Sequence, residues 1–331
     1  MTTMTVEEIL AGVSPGRMQS VGSMAVIPLL SEESEQDTTF APLDDLHVGT
    51  SNYGSVDLEN QADRPTIVPP GAGWVVKQAA QDHAVGSGVL MRAKSKTTVD
   101  TARCIQQSQG GTISKAAHDM LILPASLRTK ALALRRESGY NKLWPSIDEF
   151  NRSLGVSGGA HLEYFLKEFK GELDTFVAQF ELVPNRVGAL ILINGKTVGI
   201  ERAPSEEFWK SLWEPLVRVC YGSLAIRAAK MGANGLPPAY RVPLQVEADP
   251  VTGIKSLAGI RAALAAASDK IDELTTETME AVKAKQLQPG PSNDGSLGDA
   301  VLITLASPEL AGQVVRKGDK TPYVSLCAAG A

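Results

Sequence analysis

The chain has 331 residues, of which 43% are hydrophobic and 21% charged, with Asp+Glu 37 against Lys+Arg 32 and a net charge of −5. These values fit a globular protein with a substantial core; they disfavour nucleic acid or an anionic membrane surface as main partner, since either favours a basic stripe. The three cysteines, Cys104, Cys220 and Cys327, are far apart and odd in number, which points to free thiols in a reducing, cytoplasmic setting. The start, MTTMTVEEILAG, lacks the basic and apolar pattern of a signal peptide, and no run approaches the ~20 apolar residues that span a bilayer.

In chain order, Thr5 and Glu8 stand at capping-box spacing and predict a short helix over Thr5 to Leu10. MAVIPLL (24–30) reads as a strand and SEESEQDTT (31–39) as a solvated acidic loop. From Tyr53 to Gln107 short apolar runs, RPTIVPP, GWVVKQA, GSGVLMRA and TTVDTARCIQ among them, alternate with Gly, Pro or charged turns and predict strands. PASLRTKALALRR (124–136) opens with a proline suited to a first helical turn. Over 160–180, Leu162, Phe165, Leu166, Phe169, Leu173, Phe176, Val177 and Phe180 recur at helical steps and mark a core-facing stripe.

VGALILI, the turn Asn194-Gly195 and KTVGIER form a hairpin, because both turn residues tolerate positive φ. Ser205 caps the helix that follows, and Pro215 should kink it. A second long helix, about 256–285, carries a narrow stripe of Leu257, Ile260, Leu264, Ala267, Ile271 and Leu274. That spacing suits packing on the protein's own domain or on a sister subunit, as well as a short coiled coil. DAVLITLAS, LAGQVVRKG and TPYVSLCAA supply closing strands that must rejoin an earlier sheet.

The expected fold is therefore α+β: a largely antiparallel β-sheet core, a helical middle segment and a returning C-terminal strand pair. The expected organisation is an N-terminal arm (1–17) and one interleaved domain (18–331). The latter divides into a β-rich 18–123, helical 124–182, hairpin plus long helix 187–232, a helix at 256–285 and closing strands over 299–328.

Motifs for chemistry are sparse. His47, His83, His118 and His161 lack a second ligand at metal-site spacing, so no metal or cofactor is expected. No phosphate loop and no GxSxG elbow occurs. Arg103 next to Cys104 could lower a thiol pKa, but strand alternation puts the two on opposite faces, which favours a buried structural cysteine. Lys77 and Gln78 end a strand, and Gln78 opposite Gln106 would make a hydrogen-bonded couple. Lys77, Gln78, Cys104 and Gln106 are the candidate ligand-binding residues, with a structural polar ladder as the plainer alternative.

Four segments then point to a relationship. NQADRPTIVPPGAGWVVKQAAQ, VDTARCIQQSQGG, VPNRVGALILINGKTVGIE with EFWKSLWEPLVRVCYGSLAI, and LAGQVVRKGDKTPYVSLCA follow one another as in the prokaryotic ADP-ribosylglycohydrolase- and rhodanese-phosphatase-associated protein domain family, which the chain resembles over roughly residues 18–330. The matching positions are Arg64, Pro65, Gly71, Lys77, Gln78, Cys104, Asn194, Gly195, Val198, Gly199, Trp213 and Leu216. The resemblance implies proximity to enzymes of ADP-ribose and phosphate-ester metabolism. Departures accompany it: Ala79-Ala80 replace the family's Asn-Arg, Gln106 replaces its Glu, and its Arg-Trp has no counterpart. Alanine moves no proton, and glutamine is no base at neutral pH.

Two functions are expected from this. The first is a non-catalytic scaffold or binding protein that self-associates as a homo-oligomer through Leu257, Ile260, Leu264, Ile271 and Leu274. The second is an enzyme or sensor for an ADP-ribose- or NAD-derived nucleotide, with Lys77 on phosphate, Gln78 and Gln106 as hydrogen-bonding groups and Cys104 as a nucleophile.

Overall fold

The computed structural model describes residues 3–76, 81–107, 118–232, 237, 240–242 and 256–329. One antiparallel sheet organises them. Its strands run, in spatial order, Met4–Thr5, Gln286–Pro289, Ala300–Ala306, Leu310–Lys317, Lys320–Ala328, Lys196–Arg202, Arg186–Ile193, Met24–Leu30 and Ser14–Pro15; Gln19–Val21 and Gly295–Leu297 pair at its margins. The chain is thus α+β, and the closing strands do return. They join the Asn194-Gly195 hairpin, Gly199 to Arg202 pairing with Val324 to Cys327. Both turn residues adopt positive φ, 50° and 74°.

The strand Arg186–Ile193 is buried along its whole length because both faces of the sheet are covered. On one face Ile27, Leu190, Leu192, Val314 and Leu326 pack with the helix Val6–Ile9 and the end of the helix Leu257–Lys283. Val6–Ile9 begins with the expected capping box between Thr5 and Glu8. On the other face lie Met24, Ala189, Ile191 and Tyr323, under the helices Ala125–Ala133 and Glu206–Pro215. The strands of the β-rich segment form separate small sheets, with Ser55–Asn60 between Leu46–Asn52 and Ser95–Val99, and Val89–Met91 against Thr66–Val68.

Two helical expectations change in detail. Over 160–180 there are two helices, Leu162–Glu168 and Lys170–Ala178, broken at Phe169. Gly171 weakens the helix there, and the bend keeps Phe165, Phe169 and Leu173 all in one core. Ser205 caps Glu206–Pro215 as expected, its Oγ accepting from the Phe208 N–H at 3.2 Å. After Pro215 the chain widens into a π-helical turn, Leu216–Tyr221, before Gly222–Lys230. Proline has no N–H to offer the turn before it, so the ladder loosens at that point.

A polar row crosses the second face of the sheet. Thr304 pairs with Gln313, Gln313 with Ser325, and Ser325 with Glu201, on four neighbouring strands. Residues directly opposite one another on antiparallel strands share a face, so the four side chains form a ladder. Arg128, on the overlying helix, places Nη1 2.6 Å from Glu201 Oε1 and also donates from Nη2 to Ser325. Ser325 and Tyr221 each donate to Glu201 at 2.6 Å. A Cβ at Gly199 would overlap the Tyr221 hydroxyl, so the strand must be bare there for the tyrosine to reach. Arg128 and Glu201 are both buried.

Candidate functional site

Two of the four candidate ligand-binding residues, Cys104 and Gln106, lie where the small four-stranded sheet meets the helical segment. Its strands are Arg103–Cys104, His83–Ala84, Ala72–Val76 and His118–Ile122. Cys104 pairs with His83 and His83 with Trp74, so His83 sits between a thiol and an indole in one row across the sheet. Cys104 Sγ lies 3.3 Å from His83 Nε2 and also donates to Gln81 Oε1.

The hydrogen bonds assign the histidine tautomer. The backbone N–H of Gly54 donates to Nε2 at 3.1 Å, which makes Nε2 the acceptor. Nδ1 therefore carries the proton and donates to the Gln81 carbonyl at 3.0 Å. The imidazole is neutral, oriented from both sides, and turns its unprotonated nitrogen to the thiol.

Burial then decides the charge state. His83 is 2% exposed and Cys104 fully enclosed. Desolvation pushes the His83 pKa down to about 4 and the Cys104 thiol up to about 12. Both shifts oppose a thiolate–imidazolium pair, the reactive form of such a dyad. At neutral pH this is a hydrogen-bonded thiol and a neutral base. Chain segments at Gly54 and Tyr140 close over it: the Tyr140 carbonyl accepts from the Cys104 N–H at 2.9 Å, and the Tyr53 and Tyr140 rings meet outside at 5.5 Å.

Arg103 points elsewhere, as strand alternation requires. Its guanidinium donates to the carbonyls of Leu134, Glu137 and Gly139, tying down the chain after the helix Ala125–Ala133. It takes no part in activating Cys104. Gln106 is buried and donates to Glu163 Oε2 at 2.8 Å, and its backbone bridges to His161. Burial works against the Glu163 carboxylate, but hydrogen bonds from Lys167 and Gln106 hold its pKa below the usual range. Lys77 and Gln78, and with them the expected couple between Gln78 and Gln106, lie outside the described residues, as does the run SQGGTIS (108–114). Cys220 and Cys327 are buried free thiols near Arg128.

The pairing of His83 with Cys104 was missed by a reading that looked for partners at fixed sequence spacing. They are 21 positions apart, separated by two strands that pair elsewhere. Among the described residues, no group of three or more His, Cys, Asp or Glu is placed to hold a metal ion. Nor, among them, is any helix long and apolar enough to cross a membrane.

The other candidate is the helix Leu257–Lys283, capped by Ser256, whose Oγ accepts from the Gly259 N–H at 2.9 Å. Its two halves differ. Leu274, Met279 and Val282 are buried against the sheet. Ile260, Ala267 and Ile271 are half-buried, while Leu257 and Leu264 are 64% and 54% exposed. The stripe read from the sequence thus belongs to the core only at its last residue.

Positions that match the related family fall at close contacts of the interior. Arg128 packs across Gly71, where a Cβ would come within 2.7 Å of it; Gly199 faces Tyr221; and the Arg186 guanidinium lies 3.7 Å above the Trp213 ring. No curated protein and no solved structure matches the chain. The model of the ARG and Rhodanese-Phosphatase-superfamily-associated Protein domain, ARPP-1, matches residues 12–289, most of the sequence, and the chain belongs to that family.

Proposed function

We propose that this protein is a non-catalytic scaffold or binding protein that associates with a second copy of itself through the first half of the helix Leu257–Lys283. The observation that carries the reading is the exposure of LAGIRAALAAAS (257–268), a stretch with one charged residue, Arg261, and with Leu257 and Leu264 turned to solvent. Soluble monomers seldom leave a contiguous apolar helix face uncovered. A second copy is the favoured occupant because three-four spacing is self-complementary and the interspersed alanines let two helices approach closely. The neutral, enclosed state of Cys104 and His83 supports the non-catalytic part of the reading.

The test is the native mass by light scattering of the wild type and of Leu257→Asp/Leu264→Asp. Both positions are exposed in the single chain, so the substitutions leave its folding intact. The expected result is an oligomer that becomes a monomer with an unchanged single-chain circular dichroism spectrum. A wild type that is monomeric at every concentration overturns the proposal.

One observation favours a second reading, an enzyme or sensor for an ADP-ribose- or NAD-derived nucleotide of the kind implied by resemblance to a prokaryotic, ADP-ribosylglycohydrolase-associated family. It is the 3.3 Å approach of Cys104 Sγ to His83 Nε2, which would become a nucleophile–base pair if the Gly54–Tyr140 cover opened. Thermal shift with NAD and ADP-ribose tests it. A shift of several degrees that disappears in Cys104→Ala supports this reading, and no shift with either ligand removes it.

A further inference from the structure

The polar row that is sealed at Glu201 opens at its other end. There, Thr304 and Gln313 hold the carboxylate of Asp294, Thr304 through its hydroxyl and Gln313 Nε2 at 3.0 Å, both on Oδ2. Gln313 is fully buried and is itself fixed: it donates to Ser87 Oγ at 2.8 Å and accepts from the Gly88 N–H at 2.7 Å. The opposite carboxylate oxygen, Oδ1, receives two arginines, Arg135 Nε at 2.9 Å and Arg136 Nη2 at 3.1 Å. The Asp294 side chain is 3% exposed, so this is a buried carboxylate held by Thr304, Gln313, Arg135 and Arg136.

Arg135 follows the helix Ala125–Ala133 that carries Arg128, so one stretch of chain grips the row at both ends. At the Glu201 end one guanidinium meets one carboxylate. At the Asp294 end two guanidiniums share one, which leaves a local charge of about +1. Among the described residues the surplus is not absorbed elsewhere. Arg135 spends Nη1 on the Leu132 carbonyl, and Arg136 spends Nη2 on Ser292 Oγ as well as on Asp294. Among the described residues, Arg135 Nη2 and Arg136 Nη1 meet no acceptor.

Both arginines line a cleft of about 410 Å³, together with Ser87, Thr101, Asn293 and Ser296. Asp294 is the acidic residue of that lining, and it is already committed to the arginines. The cleft therefore offers guanidinium N–H groups, hydroxyls and an amide around a small volume, with a positive surplus. A guanidinium fork fixed by a carboxylate behind it loses little freedom when it meets a ligand, and its geometry fits planar or tetrahedral oxyanions.

We propose that the cleft between Arg135, Arg136 and the loop Ser292–Ser296 binds a small metabolite through an oxyanion group, a carboxylate or a phosphate. Asp294 acts as a positioning residue that aims the two guanidiniums, and Gln313 and Thr304 aim Asp294. This site is separate from the helix face of the self-association reading and from the Cys104–His83 pair.

Isothermal titration with inorganic phosphate, ribose 5-phosphate and citrate, at matched ionic strength, tests the proposal and separates phosphate from carboxylate ligands. At least one of the three saturates the wild type. Arg136→Gln, whose side chain is half exposed and whose loss leaves Arg135 on Asp294, weakens that binding by about tenfold or more with an unchanged melting temperature without ligand. Arg136→Lys restores charge without the fork and recovers only part of the affinity. Absence of saturable binding for all three probes, or equal affinity in Arg136→Gln, overturns the proposal.

Discussion

Two of the buried polar clusters among the described residues resolve the cost of burial in opposite ways. Around Glu201 the groups are ionised: Arg128 and Glu201 stand 2.6 Å apart with Tyr221 and Ser325 completing the carboxylate's hydrogen bonds. Burial works against the Arg128 charge, but Glu201, together with Cys327, Cys220 and Tyr221, outweighs it and raises the pKa. Around His83 and Cys104 burial is the largest influence and the groups stay neutral, the histidine lowered and the thiol raised. The difference teaches that depth does not set chemistry in this fold; what stands opposite on the neighbouring strand does. Glu201 faces a serine under an arginine, and His83 faces a cysteine.

The contrast is broken most severely by removing one charge from the ionised cluster. Glu201→Gln keeps size and some hydrogen bonding but leaves the Arg128 guanidinium buried without a counterion. The expected loss is about 3–5 kcal/mol of unfolding free energy, read from urea denaturation. A loss comparable to that of a single neutral hydrogen bond, about 1 kcal/mol, would mean that Arg128 reaches water or another acceptor when the glutamate is gone. The paired change Arg128→Met/Glu201→Gln should recover most of the stability, since no uncompensated charge then remains.

How far the sequence discloses these clusters depends on connection length. The Asn194-Gly195 hairpin was legible because two turn residues fix its register, and the strand ends Met24 and Leu30 were legible from an unbroken apolar run. The capping box at Thr5 and the cap at Ser205 are local and read directly. The polar row was not, because Glu201 meets Ser325 across 124 positions and Asp294 meets Arg135 across 159. The same limit hid His83 opposite Cys104, although each residue had been considered alone. Arg128, Arg135 and Arg136 stand in the sequence only as cations within PASLRTKALALRR (124–136). Which of them turns inward is set by Glu201 and Asp294, and those stand 73 and 159 positions further along the chain. The narrow stripe on Leu257–Lys283 shows the converse: its period was legible, but periodicity does not say where the core stops, and the core stops at Leu274.

The neutral cluster is tested more gently, by pH. An unfolded histidine titrates near 6.5, whereas His83 in the fold titrates near 4 because burial opposes its charge. Above pH 6.5 neither state holds the proton, and the stability is at its full value. As pH falls from 6.5 toward 4 the unfolded chain takes up a proton that the native protein refuses, so stability drops with falling pH and levels off below 4. A shift of this size corresponds to about 3 kcal/mol over the whole window, roughly two thirds of it by pH 5. Measuring between pH 7 and 5 stays above the ordinary range of carboxylates, about 4. His83→Gln retains an amide donor for the Gln81 carbonyl and an acceptor for the Gly54 N–H, and removes the titration. Its unfolding free energy should therefore fall by about 2 kcal/mol less than that of the wild type across that interval, the remaining slope including His161, whose pKa burial also lowers. An equal slope in both proteins would place the acid sensitivity elsewhere and would mean that His83 reaches solvent often enough to be protonated in the native state. That outcome would also reopen the case for Cys104, because the motion that lets a proton reach Nε2 is the motion that would let a substrate reach Sγ.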